Sequence, residues 1–103
     1  MRVTGGELGG RTIRVPDSAV RPTQDRVREA LFSALQAVIP EIRFLDLFAG
    51  SGAVGLEAWS RGAASVCWVE ENRHVFRVLE RNVKTLGGDA YGTSAMRCIC
   101  ADA

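Results

Sequence analysis

Three glycines and three acids carry the chemistry this sequence offers. Gly50, Gly52 and Gly55 spell G-x-G-x-x-G within FLDLFAGSGAVGLEA, residues 44–58. A glycine loop between a strand and a helix turns backbone amides and a helix N-terminus toward a ligand, which suits a phosphate or a carboxylate. Asp46 stands just before the loop, Glu70 follows Gly50 by twenty residues, and Asp102 comes last. An acid at the Glu70 position can accept hydrogen bonds from both hydroxyls of a ribose, so the ligand is expected to contain adenosine. Asp46 discriminates further. A carboxylate beside a pyrophosphate is repelled, whereas a ligand with an ammonium and a sulfonium is attracted. S-adenosylmethionine has both cations, and a carboxylate for the loop amides. Asp102 would then face the adenine amino group. Two plainer readings stand beside this one. Asp46 could bond the loop amides, and Glu70 could cap the next helix with Glu71 and Asn72.

Those residues need a scaffold that brings strand ends together. Phe44–Leu47 reads as a buried strand, Ser65–Val69 as a second ending at Glu70, and Met96–Ala101 as a third reaching Asp102. Between them lie helices from about Ala53 to Arg61, with Gly62 just past the end, and from an Asn72 cap to Leu86. The expected order is β-α-β-α-β with parallel strands in spatial order 3-2-1, one half of a Rossmann-like α/β fold. Upstream, Met1–Thr4 and Thr12–Val15 form a β-hairpin, and Pro16–Pro22 a loop. Thr23 caps a helix to about Val38 with Val27, Leu31, Leu35 and Val38 inward. The division is residues 1–20 as a hairpin extension and 21–103 as a partial cofactor-binding domain.

Composition fits a globular protein of at most one domain, with a net charge of only +1. Charge is uneven, however: residues 1–28 hold six arginines against three acids. Arginine forks match phosphates. Cys67, Cys98 and Cys100 are odd in number and lack C-x-x-C spacing, and His74 is the single histidine, so neither a disulfide frame nor a zinc site is expected. The cysteines, the absence of a signal peptide and the absence of a transmembrane run point to the cytoplasm. Trp59 and Trp68 read as core, and Arg73, Arg77, Arg81 and Lys84 as a solvated helix face.

DLFAGSGAVGLEAWSRGA, Asp46 to Ala63, resembles motif I of class I methyltransferases. With RPTQDRVREALFSAL (Arg21–Leu35) and the hairpin MRVTGGELGGRTIRVP, it resembles the RsmD-type methyltransferases, which methylate a guanine exocyclic N2 in bacterial small-subunit ribosomal RNA. The RPT-x-DRVRE segment is the most specific part. The resemblance implies contacts to S-adenosyl-L-methionine at Asp46, Phe48, Gly50, Ser51, Gly52, Glu70 and Asp102. It implies that the basic hairpin and the Arg21–Arg28 segment face RNA or help close the cofactor site, with Arg11, Arg14, Arg21 and Arg26 as the RNA contacts. The partner is then ribosomal RNA or the small ribosomal subunit.

The family's pattern also includes [DN]-P-P-[FY] after a fourth strand, which accepts the amine protons of the target guanine and stacks on its base. No such motif occurs among these residues, whose prolines are Pro16, Pro22 and Pro40. No catalytic residue is therefore assigned, and the 103 residues are expected to be a truncated form, inactive alone. Their Asp46 strand would be an open apolar edge prone to self-association. The other function classes weighed are a non-catalytic cofactor- or RNA-binding module and a nicotinamide-binding oxidoreductase domain; Asp46 opposes the latter.

Overall fold

The structure, a computed structural model, describes residues 1–15 and 22–102. The loop expected before Pro22, with Arg21, lies outside the described residues, as does the capping side chain of Thr23. Three strands form one parallel sheet: β1 (Arg43–Asp46), β2 (Ser65–Glu70) and β3 (Met96–Cys100), in the order β1-β2-β3. Leu45 stands opposite Cys67, and Cys67 opposite Arg97. Helix α1 (Pro22–Ala34) precedes the sheet, α2 (Ala53–Ser60) links β1 to β2, and α3 (Arg73–Gly87) links β2 to β3. This is the β-α-β-α-β order and spatial arrangement expected from the sequence.

Local signals set the helix ends. Gly62, at φ 105°, follows the last turn of α2 in the left-handed region that glycine adopts freely. The Asn72 side chain accepts the Val75 amide at 3.0 Å and starts α3. Packing then fixes how close the layers come. Trp68 of β2 is fully buried, and a Cβ on Gly55 would lie 2.2 Å from its Nε1. Gly55 is thus the position where α2 lies directly against the sheet. Leu79 and Val83 of α3 and Met96 of β3 complete this core.

The hairpin is present but short. Arg2 pairs antiparallel with Thr12, Val3 donates to the Arg11 carbonyl at 3.0 Å, and Ile13 donates to the Met1 carbonyl at 2.8 Å. Val3 and Ile13 are both buried and join the same core as the sheet.

Two expectations are corrected. Helix α1 ends at Ala34 rather than Val38, and Val27, Leu31, Leu35 and Val38 are exposed rather than inward. Arg28 and Phe32 occupy the buried face instead. One residue is about 100° of helix rotation, so a one-residue shift moves the whole stripe outward. An ion pair of Arg28, described below, sets that rotation. Strand β1 is also not buried. It lies at the sheet edge and alternates exposed and half-buried residues, leaving Leu45 58% exposed.

Candidate cofactor site

Parallel strands bring their carboxyl ends to one rim, and the acids follow from that. Asp46 ends β1, Glu70 ends β2, and Asp102 lies two residues past the end of β3. Glu70 builds the rim as well as lining it. Its Oε1 accepts the Gly50 amide at 2.9 Å, and its Oε2 accepts the Asn72 amide at 3.0 Å. The carboxylate clamps the glycine loop to the start of α3, while Asn72 supplies the helix cap. Its two oxygens offer about four acceptor sites, so capacity for a ribose remains.

Asp46 is half-buried, and its Oδ2 is sealed from solvent without a hydrogen-bond partner. Burial pushes its pKa above the ordinary 3.8; the Gly55 and Phe48 amides pull it down, and the Glu70 charge raises it. The net shift is upward. The loop amides therefore offset only part of the burial penalty. A buried acceptor left unmatched is costly and needs an explanation.

The glycines divide their work. Gly50 sits at φ 54°, and a Cβ built there would meet nothing within 4 Å, so this residue borders open space. Gly52 sits at φ 92°; its amide closes a turn on the Ala49 carbonyl at 2.8 Å, and a Cβ would lie 2.6 Å from Leu79 Cδ1. Gly52 shapes the loop and seats it on α3. Between the loop and α1 opens a recess of about 460 Å3, lined by Val27, Leu31, Ala49, Gly50, Ser51 and Val54 among others. The outward stripe of α1 is one wall of it.

The structure thus gathers Asp46, Gly50, Ser51, Gly52 and Glu70 around one loop. Asp102 stands exposed farther along the rim. Phe48 points away from the packed part of the loop and is 83% exposed. Of the arginines expected to face RNA, Arg11 and Arg14 are exposed on the hairpin and Arg26 on α1. Arg28, in the same segment, instead lines the recess beside the glycine loop. It is buried, with Nε donating to Glu57 Oε1 at 2.9 Å and its terminal nitrogen donating to the Arg2 carbonyl and to Asp25.

Glu57 and Asn82 are among the buried polar residues that escape the sequence reading. Glu57, in α2, is fully buried and accepts five hydrogen bonds, from the Thr4 amide and hydroxyl, the Gly5 amide, Arg28 and Arg61. Burial opposes its ionisation, but the Thr4 amide, Arg61, Arg28 and the Thr4 hydroxyl together hold its pKa below the ordinary 4.5. Asn82 lies on the inward face of α3. Its Oδ1 accepts the Arg14 amide at 3.0 Å, and its Nδ2 donates to the carbonyls of Arg14 at 2.8 Å and Ser51 at 2.9 Å. It joins hairpin, helix and glycine loop. Its one sequence signal is polarity in register with Leu79, Val83 and Leu86. Among the described residues no group of three His, Cys, Asp or Glu could hold a metal ion, and no helix is long and apolar enough to cross a membrane.

Comparison with known proteins places this arrangement. The ribosomal RNA small subunit methyltransferase D of Escherichia coli K12 is 52% identical over 87 residues, covering 84% of this chain and 44% of that protein. The chain therefore spans less than half the length of that curated relative. A hypothetical protein of Thermus thermophilus superposes with a TM-score of 0.80 at 41% identity, over 99% of this chain and 56% of that one. The SAM-dependent methyltransferase of Agrobacterium tumefaciens superposes at 0.61 with 27% identity, over 82% of this chain and 26% of that one. The fold is accordingly the Rossmann-like α/β fold of such methyltransferases. The model of the family described as Conserved hypothetical protein 95 matches residues 1–100, and the chain belongs to that family.

Proposed function

We propose that residues 21–103 are the methyl-donor-binding part of an S-adenosylmethionine-dependent methyltransferase, with residues 1–20 as a hairpin extension. The observation that carries this reading is the convergence of Asp46 and Glu70, at the ends of neighbouring parallel strands, on a glycine loop that opens at Gly50. A cationic donor is attracted by that pair of carboxylates. Glu70 and Asp102 are the hydroxyl and amino acceptors of the adenosine part, and Gly50, Ser51 and Gly52 shape the bed for its tail. Phe48 would fold over the bound nucleoside. S-adenosylmethionine, when bound, supplies an electrophilic methyl group on a sulfonium.

The substrate in this reading is the exocyclic N2 of a guanine in small-subunit ribosomal RNA, reached in the cytoplasm. The name of the Escherichia coli relative supports the small-subunit ribosomal RNA, and the family resemblance of the sequence supports the guanine N2. A base must be unpaired or extruded to be reached. Arg11, Arg14, Arg21 and Arg26 would meet the RNA backbone. In this reading the described residues bind and orient the donor. The open β1 edge further supports self-association of the chain.

A thermal-shift titration tests the ligand. S-adenosylhomocysteine at a hundredfold excess over its Kd should stabilise the chain by about 2.7 kcal/mol. NAD should give none. Stabilisation by NAD alone would make this a nicotinamide-binding domain.

A further inference from the structure

We propose that the hairpin and α3 together form a phosphate-binding face for single-stranded RNA, centred on Arg14 and Arg81. This rests on the RNA-directed reading above and extends it to Arg77 and Arg81, which the sequence alone presents as a solvated helix face. Two clefts adjoin there. One, of about 400 Å3, is lined by Arg14, His74, Arg77 and Arg81 with two valines. The other, of about 390 Å3, is lined by Arg11, Arg14 and Arg81 beside Asn82. Arg14 and Arg81 belong to both, so the clefts share a cationic wall.

Among the described residues, neither cleft has a carboxylate in its lining. The whole chain carries 13 basic and 12 acidic residues, so four arginines without an acid reflect sorting of charge rather than overall composition. Among the described residues the ion pairs belong to Arg28 and Arg61, and Arg11, Arg14, Arg77 and Arg81 are all exposed without one. Guanidinium groups held apart from carboxylates suit phosphate, which they bind through paired N–H donors.

The connection to the glycine loop selects RNA over an acidic protein. Asn82 holds the Arg14 backbone through both its N–H and its carbonyl, and holds Ser51 with the same amide group. A polyanion seated on Arg14 and Arg81 is one side chain away from the loop assigned to the methyl donor. Arg26 lines neither cleft and is not part of this face.

Fluorescence anisotropy with a short fluorescein-labelled single-stranded RNA, titrated at several salt concentrations, tests the assignment. Each phosphate contact on a single strand contributes about −0.7 to the slope of log K against log salt, so R77A/R81A should lower the slope by about 1.4 and weaken binding. Arg81→Lys should keep most of the slope, because it keeps the charge. R73A/K84A removes two charges of α3 outside the clefts and should leave the slope nearly unchanged. An unchanged slope in R77A/R81A overturns the proposal, as does an equal loss in R73A/K84A, which would mean diffuse attraction. Preference for labelled polyglutamate over RNA overturns it in favour of an acidic protein partner. The shift with S-adenosylhomocysteine is read on the same variants. Its absence in the wild type would sink the methyl-donor reading while leaving the RNA result to stand or fall by itself.

Discussion

Asp46 concentrates the chemistry of the site in one carboxyl group. Its pKa is raised above 3.8, mainly by burial. The folded protein therefore holds a proton that the unfolded chain releases earlier. The ligand-free chain loses stability from this group as pH rises from the ordinary value through the raised one. A cationic ligand favours the ionised form, so affinity should rise with pH across that same interval. Asp46→Asn should leave the free chain as stable or more so above the interval. It should weaken S-adenosylmethionine binding by about 1.5–3 kcal/mol, the range for a hydrogen bond to a charged group. It should also abolish the pH dependence of affinity in that interval. Calorimetric titration across acidic pH reads both effects, and unchanged binding by the variant would remove Asp46 from the site. Glycine at 50 and acid at 46 were legible as a pair in the sequence because strand and loop are contiguous. The missing partner of Oδ2 was not, because it depends on how α2 and the loop close over it.

At the scale of elements, Glu57 ties three pieces together. It takes Arg28 from α1, Arg61 from just past the end of its own helix, and Thr4 and Gly5 from the hairpin. Its pKa is held below 4.5, so the stability it adds is present above that value and is lost as pH falls through the lowered one. Removing one member of a buried ion cluster leaves the others uncompensated, so Glu57→Ala should cost about 3–5 kcal/mol. Hydrogen exchange should show the Thr4 and Gly5 amides losing protection first. Loss confined to α2 would contradict the clamp. Gly55→Ala tests the contact of α2 with β2. Its Cβ would fall on Trp68, and overpacking of this kind costs about 1–3 kcal/mol by denaturant unfolding. A neutral result would mean that α2 can slide. The same elements explain the rotation of α1. Apolar periodicity favoured Val27 and Leu31 inward, but Arg28 must reach Glu57, and Phe32 follows it on the same face.

At the scale of the whole molecule, β1 is one of the two edges of a three-stranded sheet, the other being β3. Leu45, Leu47 and Phe48 are exposed along β1 and its continuation. Unpaired backbone flanked by apolar side chains promotes edge pairing, and a lysine at an edge suppresses it. Sedimentation velocity should show concentration-dependent association of the chain, reduced in Leu45→Lys. A monomer at all concentrations would show the edge to be inert. By itself the sequence determined the order of strands and helices, the ends of α2 and α3, and the acids at the strand ends. These are local properties: apolar runs of strand length, Asn72 as a cap, and glycines where the backbone turns to positive φ. It also carried the family resemblance, which needs no geometry. Only the tertiary structure decided which charged residues are inside. Glu57 and Arg28 resemble solvated helix residues until the hairpin supplies amides and a carbonyl to them. Likewise, Arg77 and Arg81 share a cleft with Arg14 where Asn82 binds the backbone of residue 14 from position 82. Contacts between residues so far apart in the chain depend on packing, and no window of sequence contains both halves of them.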